Sequence, residues 1–319
     1  MRQTAYLSAD GRVFCHENGL ITSAVFNSLI SASREELARR LSEYGYDASL
    51  PTEEMLKKAS DELWALMDEI MPSKHELDSL IIRNDFHNLK TELKNIIVPD
   101  DISGAMLYPT VYDPQDISEA VGTRRFDALP ECMADAAKRC YDVLTRTGSG
   151  RLADVIIDRA SLTAALDAAK KADGSLLERV AVREIINADV AVAWRACLSG
   201  LDADFTAKAL VPAPGVDVSA LARASAEGMN ALDGALRGSG LSIYADAVAK
   251  GGTVFEKLCD DLVMKEAKTA RFENIGSNRV AAFVIAKRTE MLNLRILLCA
   301  ARNGLDSSVV TSRARELYV

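Results

Sequence analysis

The strongest constraint on this chain is a repeat about one small domain long. Ser73, Ser175 and Ser277 stand at equal intervals, since 175 − 73 and 277 − 175 are both 102. Each opens a long helical pattern. Each pattern carries an acid at nearly the same depth, Asp85, Asp189 and Glu290, with spacings of 104 and 101. Such a period is too long for a solenoid of small units and matches a small domain. The 319-residue chain therefore reads as three similar helical modules, at 1–105, 106–205 and 206–319. No copy carries obvious chemistry, which points toward a built part rather than an enzyme.

The first module is the clearest. Ser33-Arg-Glu-Glu36 has the form of a capping box, in which a Ser hydroxyl accepts from a free helix-end amide and the Glu reaches back. Leu37, Leu41 and Tyr44 then recur on one face, and Gly45 supplies a left-handed stop. After Pro51-Thr52, a stripe of Leu56, Ala59, Leu63, Leu66 or Met67, and Ile70 predicts a second helix, ended by Pro72. Ser73-Lys-His-Glu76 reads as another box. The face Leu77, Leu80, Ile81, Leu89, Leu93 and Ile96 predicts a helix of about 22 residues, roughly 33 Å long. Pro99 and Asp100-Asp101 end it, and 98–116 reads as a linker.

The second module predicts a helix over 129–146, a break at Gly148-Ser-Gly150 and a shorter helix through Leu162, Leu166 and Ala169. Its long helix starts at the box Ser175-Leu-Leu-Glu178, runs to about Leu198 and closes at Gly200-Leu-Asp202. The third predicts a helix over 219–237, Gly238-Ser-Gly240, and a helix through Phe255, Leu258 and Leu262. Its long helix starts near Ser277 or Asn278 and closes at Asn303-Gly304-Leu305-Asp306, with a last short helix running to the end. No stretch alternates with period two, so the fold class is all-α.

Composition narrows the function. Hydrophobic residues make up 49% and the net charge is −8. No Lys/Arg block has the density of a nucleic-acid site, so nucleic acid is not an expected partner. The six cysteines lack CxxC spacing, and the first residues are polar, with Arg2 and no apolar run. These features predict no secretory leader, reduced thiols and a cytoplasmic setting. The longest apolar run, Val280–Ala286, falls short of the roughly 18 residues that span a bilayer.

Familiar catalytic and binding motifs are missing. There is no GxxxxGK[ST] loop, no GxGxxG and no GxSxG elbow. Gly251-Gly252 reads as a loop signal. His16, His75 and His87 are not clustered, and Cys132 and Cys140, two turns apart on one helix, read as small buried hydrophobes. The expected catalytic, cofactor-binding and metal sets are therefore empty. Glu53, Glu54, Asp61, Glu62, Asp68 and Glu69 read as a solvated face, with docking of a basic partner as the sharper alternative.

One recurring polar set stands out. Asp85 and Asn88 share a helix face, with Lys90 toward the far side; Glu290, Asn293 and Arg295 repeat that spacing. The middle module keeps Asp189 but has Val192 and Trp194 at the other two places. A polar site used three times is one reading. The other is a buried acid and amide that fix each long helix to neighbouring chain by hydrogen bonds. The loss of the Asn partner in the middle module favours the second.

Three segments carry a family resemblance: Asp85-Phe-His-Asn-Leu-Lys90, Ile156-Ile-Asp-Arg-Ala160, and Phe283-Val-Ile-Ala-Lys-Arg-Thr-Glu-Met-Leu-Asn-Leu-Arg295. They resemble the C subunit of bacterial and archaeal V/A-type ATPases, which corresponds to the d subunit of eukaryotic V-ATPases. Asn303-Gly304-Leu305 and the segment from Ser31 to Tyr46 fit as well. The resemblance implies a funnel of three modules around a pseudo-threefold axis. It implies a non-catalytic part of the central stalk, one copy per complex, at the cytoplasmic face of the membrane. The partners it implies are the D and F subunits of the shaft and the proteolipid rotor ring, with torque passed between ATP hydrolysis or synthesis and proton or sodium transport. It implies no cofactor. Two alternatives stay open: a helical adaptor unconnected to any ATPase, and a small all-α hydrolase using Asp85 and His87.

Overall fold

A computed structural model describes residues 6–98, 103–273 and 276–319. Among them the regular structure is entirely helical. In chain order the helices are α1 Leu7–Glu17, α2 Ser23–Ile30, α3 Arg34–Glu43, α4 Thr52–Ile70, α5 Asp78–Ile97, α6 Pro114–Gly122, α7 Glu131–Thr147 and α8 Gly150–Ala169. There follow α9 Leu176–Leu198, α10 Ala203–Ala209, α11 Val218–Glu227, α12 Met229–Gly238, α13 Ser242–Lys250, α14 Gly252–Ala270, α15 Asn278–Asn303 and α16 Ser307–Arg313. Short 3-10 turns lie at Ser103–Ala105 and Phe126–Ala128.

The chain forms two compact units. One takes Met1–Lys74, Asp173–Val180 and Asp246–Val319; the other takes His75–Ala172 and Ala181–Ala245. In the first, α15 packs against α14, α4, α1 and α16. Its core joins Phe26, Leu29, Leu37 and Leu41 to Leu294 and Leu297. Every residue from Val280 to Ala286 is buried, so this apolar run serves as packing on all sides of a core helix. In the second unit, α5 packs against α8, α7 and α6. Phe86, Leu89 and Leu93 meet Met133, Cys140 and Ile157 there. No helix among the described residues is long and apolar enough to cross a membrane.

Several predicted features form as expected. The Ser33 hydroxyl accepts from the Glu36 amide at 3.3 Å and caps α3. The stripe of α4 buries Leu56, Ala59, Leu63 and Met67, and all six of its acids named above are exposed. Gly304 ends α15 in the left-handed conformation at φ 63°, which costs a glycine little.

Other features differ. Ser73 is exposed and does not open the first long helix, which begins at Asp78 with no side-chain cap. Glu76 and Leu77 are buried, so the chain turns inward before the helix starts. The core face shifts accordingly, with Ile82 and Phe86 buried and Leu80 and Ile81 only half-buried. The Ser175 hydroxyl accepts from the Arg179 guanidinium at 2.5 Å, while the Leu176 amide donates to Asn278 Oδ1 at 3.0 Å. Ser277 does not cap α15 through its side chain; its hydroxyl donates to the Asp173 carbonyl at 3.0 Å.

The predicted helix over 219–237 is two helices, α11 and α12. Gly228 separates them at φ 114°, a backbone conformation essentially reserved for glycine. The last helix stops at Arg313, and 314–319 is not helical. Within the expected linker, Asp113 caps α6 and Pro114 opens it; Pro99, Asp100 and Asp101 lie outside the described residues. Gly251 is the N-cap of α14 and Gly252 its first residue. Cys140 is buried, but Cys132 is exposed, with its Sγ 3.8 Å from the Tyr112 hydroxyl.

Candidate functional site: three buried acids on the long helices

Asp85 on α5, Asp189 on α9 and Glu290 on α15 are 0%, 1% and 2% exposed. A buried carboxylate must be partnered or neutralised, so the partners of each decide what it does.

Asp85 is held by the backbone of a non-helical segment. Its Oδ2 accepts from the Val111 amide at 3.0 Å and its Oδ1 from the Tyr112 amide at 2.9 Å. One turn along, Asn88 pairs with both backbone groups of one residue. It donates to the Leu107 carbonyl at 3.0 Å and accepts from the Leu107 amide at 2.8 Å. Asn84 donates to the Pro109 carbonyl at 2.8 Å. This face of α5 therefore binds the segment 107–112 that leads into α6. Burial pushes the Asp85 carboxyl upward from the usual range, and the two backbone amides oppose that shift.

Glu290 and Asn293 repeat the device. Glu290 Oε2 accepts from the Ile21 amide at 2.5 Å, and its Oε1 accepts from the Tyr46 hydroxyl and the Lys287 ammonium, each at 2.6 Å. Asn293 donates to the Arg315 carbonyl at 2.9 Å and accepts from the Arg315 amide at 2.7 Å. The Asn–peptide pair is thus the same as at Asn88. Lys287 Nζ also lies 4.4 Å from the centre of the Tyr46 ring. A pocket of about 220 Å³, lined by His16, Tyr46, Glu62, Phe283 and Lys287 among others, opens beside this group. Its amine is engaged by carboxylate and ring together. Burial, then the Glu290 charge, drive the Tyr46 hydroxyl far above its ordinary range.

Asp189 has less. Its Oδ1 accepts from the Val211 amide at 2.9 Å, and its Oδ2 is buried without a partner. The reason lies in the sequence. The residue after Val211 is Pro212, and proline has no N–H, whereas Tyr112 follows Val111 and donates. Val192 stands where Asn88 and Asn293 make their peptide pairs. Burial pushes the Asp189 carboxyl up to about 7, with the Val211 amide and the Arg159 charge pulling it down.

The remaining predicted polar residues lie outside these contacts. Lys90 reaches Asp158 on α8 at 2.7 Å, and Arg295 makes two bonds to Glu53 on α4 at 3.1 and 2.9 Å. Both tie a long helix to the side of a neighbour. His87 Nε2 is 3.0 Å from the Ala105 carbonyl, while both Asp85 oxygens are taken by amides. Each of the three acids accepts from at least one backbone amide and so fastens its long helix to another part of the chain. Sequence reasoning missed that the partners are non-helical connecting segments. The signal was present in Leu107–Asp113 and Leu210–Asp217, each an apolar, Pro-containing run ending at a capping Asp.

Residues 9–313 match the ATP synthase (C/AC39) subunit family. The chain belongs to that family. A relative, the C subunit of the V-type sodium ATPase of Enterococcus hirae, is 22% identical over 279 residues, covering 86% of this chain and 84% of the relative. The three segments that carry the resemblance in the sequence all fall within the matched region, so membership of this V/A-type ATPase family rests on nearly the whole chain.

Proposed function

We propose that this chain is a non-catalytic part of the central stalk of a rotary V/A-type ATPase or ATP synthase. In this reading it joins a shaft of the D and F subunits to a membrane ring of proteolipids and passes torque between them. It sits as one copy at the cytoplasmic face, built of three modules, 1–105, 106–205 and 206–319, around a pseudo-threefold axis as a funnel. The observation that carries the reading is the family match over residues 9–313. The buried acids support the modular part. Each receives an amide from a segment that precedes a short helix: Ile21 before α2, Val111 before α6 and Val211 before α11. The third acid takes its amide from near the start of the chain, as a closed cycle of three modules requires. A torque-bearing part has to resist twist, and long helices in close-packed cores are stiff.

The test is a mild-detergent pull-down of the tagged chain from its native membranes, joined to a coupling assay. Shaft, head and ring proteins should be recovered in fixed proportion. Membranes lacking the chain should lose ATP-driven ion uptake. Recovery of the chain alone beside an intact, coupled ATPase would overturn the reading and favour the unconnected adaptor. Purified chain should not hydrolyse ATP above a mock preparation.

A further inference from the structure

Asp189 differs from the other two acids in one respect that bears on conduct rather than construction. One of its oxygens is buried with nothing to bond, and the residue that would supply the donor is Pro212. Asp189 holds the segment after α10 by one bond, from the Val211 amide. The segment 107–112 has two amides on Asp85 and the Asn88 pair besides. The surroundings are apolar: Leu162 and Ile185 pack with Val211, and Leu166, Ala188 and Ala213 pack against them. From α8 the charged group acting on Asp189 is Arg159, whose Nη1 donates to the Lys208 carbonyl at 3.2 Å. Lys208 on α10 is exposed. Leu210, Val211, Pro212 and Ala213 bring no charge, nor do Ile185, Ile186, Val192 and Ala193 around Asp189 on its own helix.

We propose that Asp189 is a proton-dependent latch for the segment 210–216: the neutral acid holds the segment, and ionisation loosens it. A neutral carboxyl can accept from Val211 and leaves no uncompensated charge. An ionised one leaves a bare oxygen in an apolar site, a cost that burial makes large. Detaching the segment admits water to that oxygen. The sign follows from the upward shift to about 7. The closed state binds the proton more tightly than the open one, so closure is strongest below the ordinary carboxylate range. It weakens by up to about tenfold per pH unit as pH rises toward 7, then levels off. At Asp85, where both oxygens are bonded, two backbone amides oppose the upward push of burial, so the same dependence is weaker there.

The experiment is amide hydrogen exchange on the full chain, read on peptides covering 107–112 and 209–216 between pH 5 and 8.5 and corrected for intrinsic exchange. The segment 209–216 should lose protection as pH rises and plateau above neutrality, while 107–112 should change less. Asp189→Asn should abolish the pH dependence. Pro212→Ala, which supplies the missing N–H without removing the acid, should flatten it and raise protection at pH 8. Protection of 209–216 independent of pH in the wild type would overturn the proposal. So would a pH dependence unchanged in both variants.

Discussion

Asp85 and Asp189 occupy the same kind of place and do unequal work. Both are buried on a long helix and both meet a valine amide in a non-helical segment. At Asp85 the next residue is tyrosine and a second amide arrives; at Asp189 the next residue is proline and none does. A long helix can therefore bury an acid with only half of the donors that another such acid has. What changes is the protonation state in which the acid is tolerated. Position and burial alone do not define a site; the count of donors does.

The largest disturbance should come at the station with most partners. Glu290→Ala removes the acceptor of an ammonium, a hydroxyl and an amide. It should cost about 3–5 kcal/mol, the penalty for stranding half of a buried pair, read by urea unfolding of the full chain. Asp85→Asn is next. An amide can accept only through its oxygen, so one of the two backbone donors faces an NH₂ group, at about 1–3 kcal/mol. Asp189→Asn should be neutral or stabilising at pH 8 and should remove the fall of stability between pH 5 and 7. If it costs as much as Asp85→Asn at pH 8, the contrast between the two acids fails. The smallest effect belongs to Arg295→Ala, which deletes an exposed pair with Glu53 and should change stability by about 0.2–1 kcal/mol. A loss of several kcal/mol there would show that the flanking cations, and not the acids, fasten the long helices.

Much of this was legible in residue order. The helical face of Leu89 and Leu93, the cap at Ser33 and the stop at Gly304 depend on spacing of a few residues, which sequence displays directly. The acids were legible as a set because they recur. Their partners were not, because Asp85 finds Val111 through a turn of chain whose path depends on tertiary packing. The serines that mark the repeat mislead for a related reason. Ser73 begins a good box, but burial of Leu77 one turn later outweighs a cap worth about 1 kcal/mol. Gly228 hides inside a strong apolar stripe, where a lone glycine is often tolerated. At 314–319, the helical tendency of a short tail loses to the Asn293 peptide pair and to burial of Leu317 and Tyr318.

The bond between Ile21 and Glu290 joins residues 269 apart in sequence, and the core around it mixes Phe26, Leu37 and Leu41 with Leu294 and Leu297. On the ribosome, chain grows at about 5–20 residues per second. The early helices therefore wait at least some ten seconds with their apolar faces unmatched before the residues that cover them are made. The unit spanning His75–Ala172 and Ala181–Ala245 has all its residues available sooner. The order of completion thus runs opposite to the order of synthesis: the oldest part of the nascent chain is among the last to be finished.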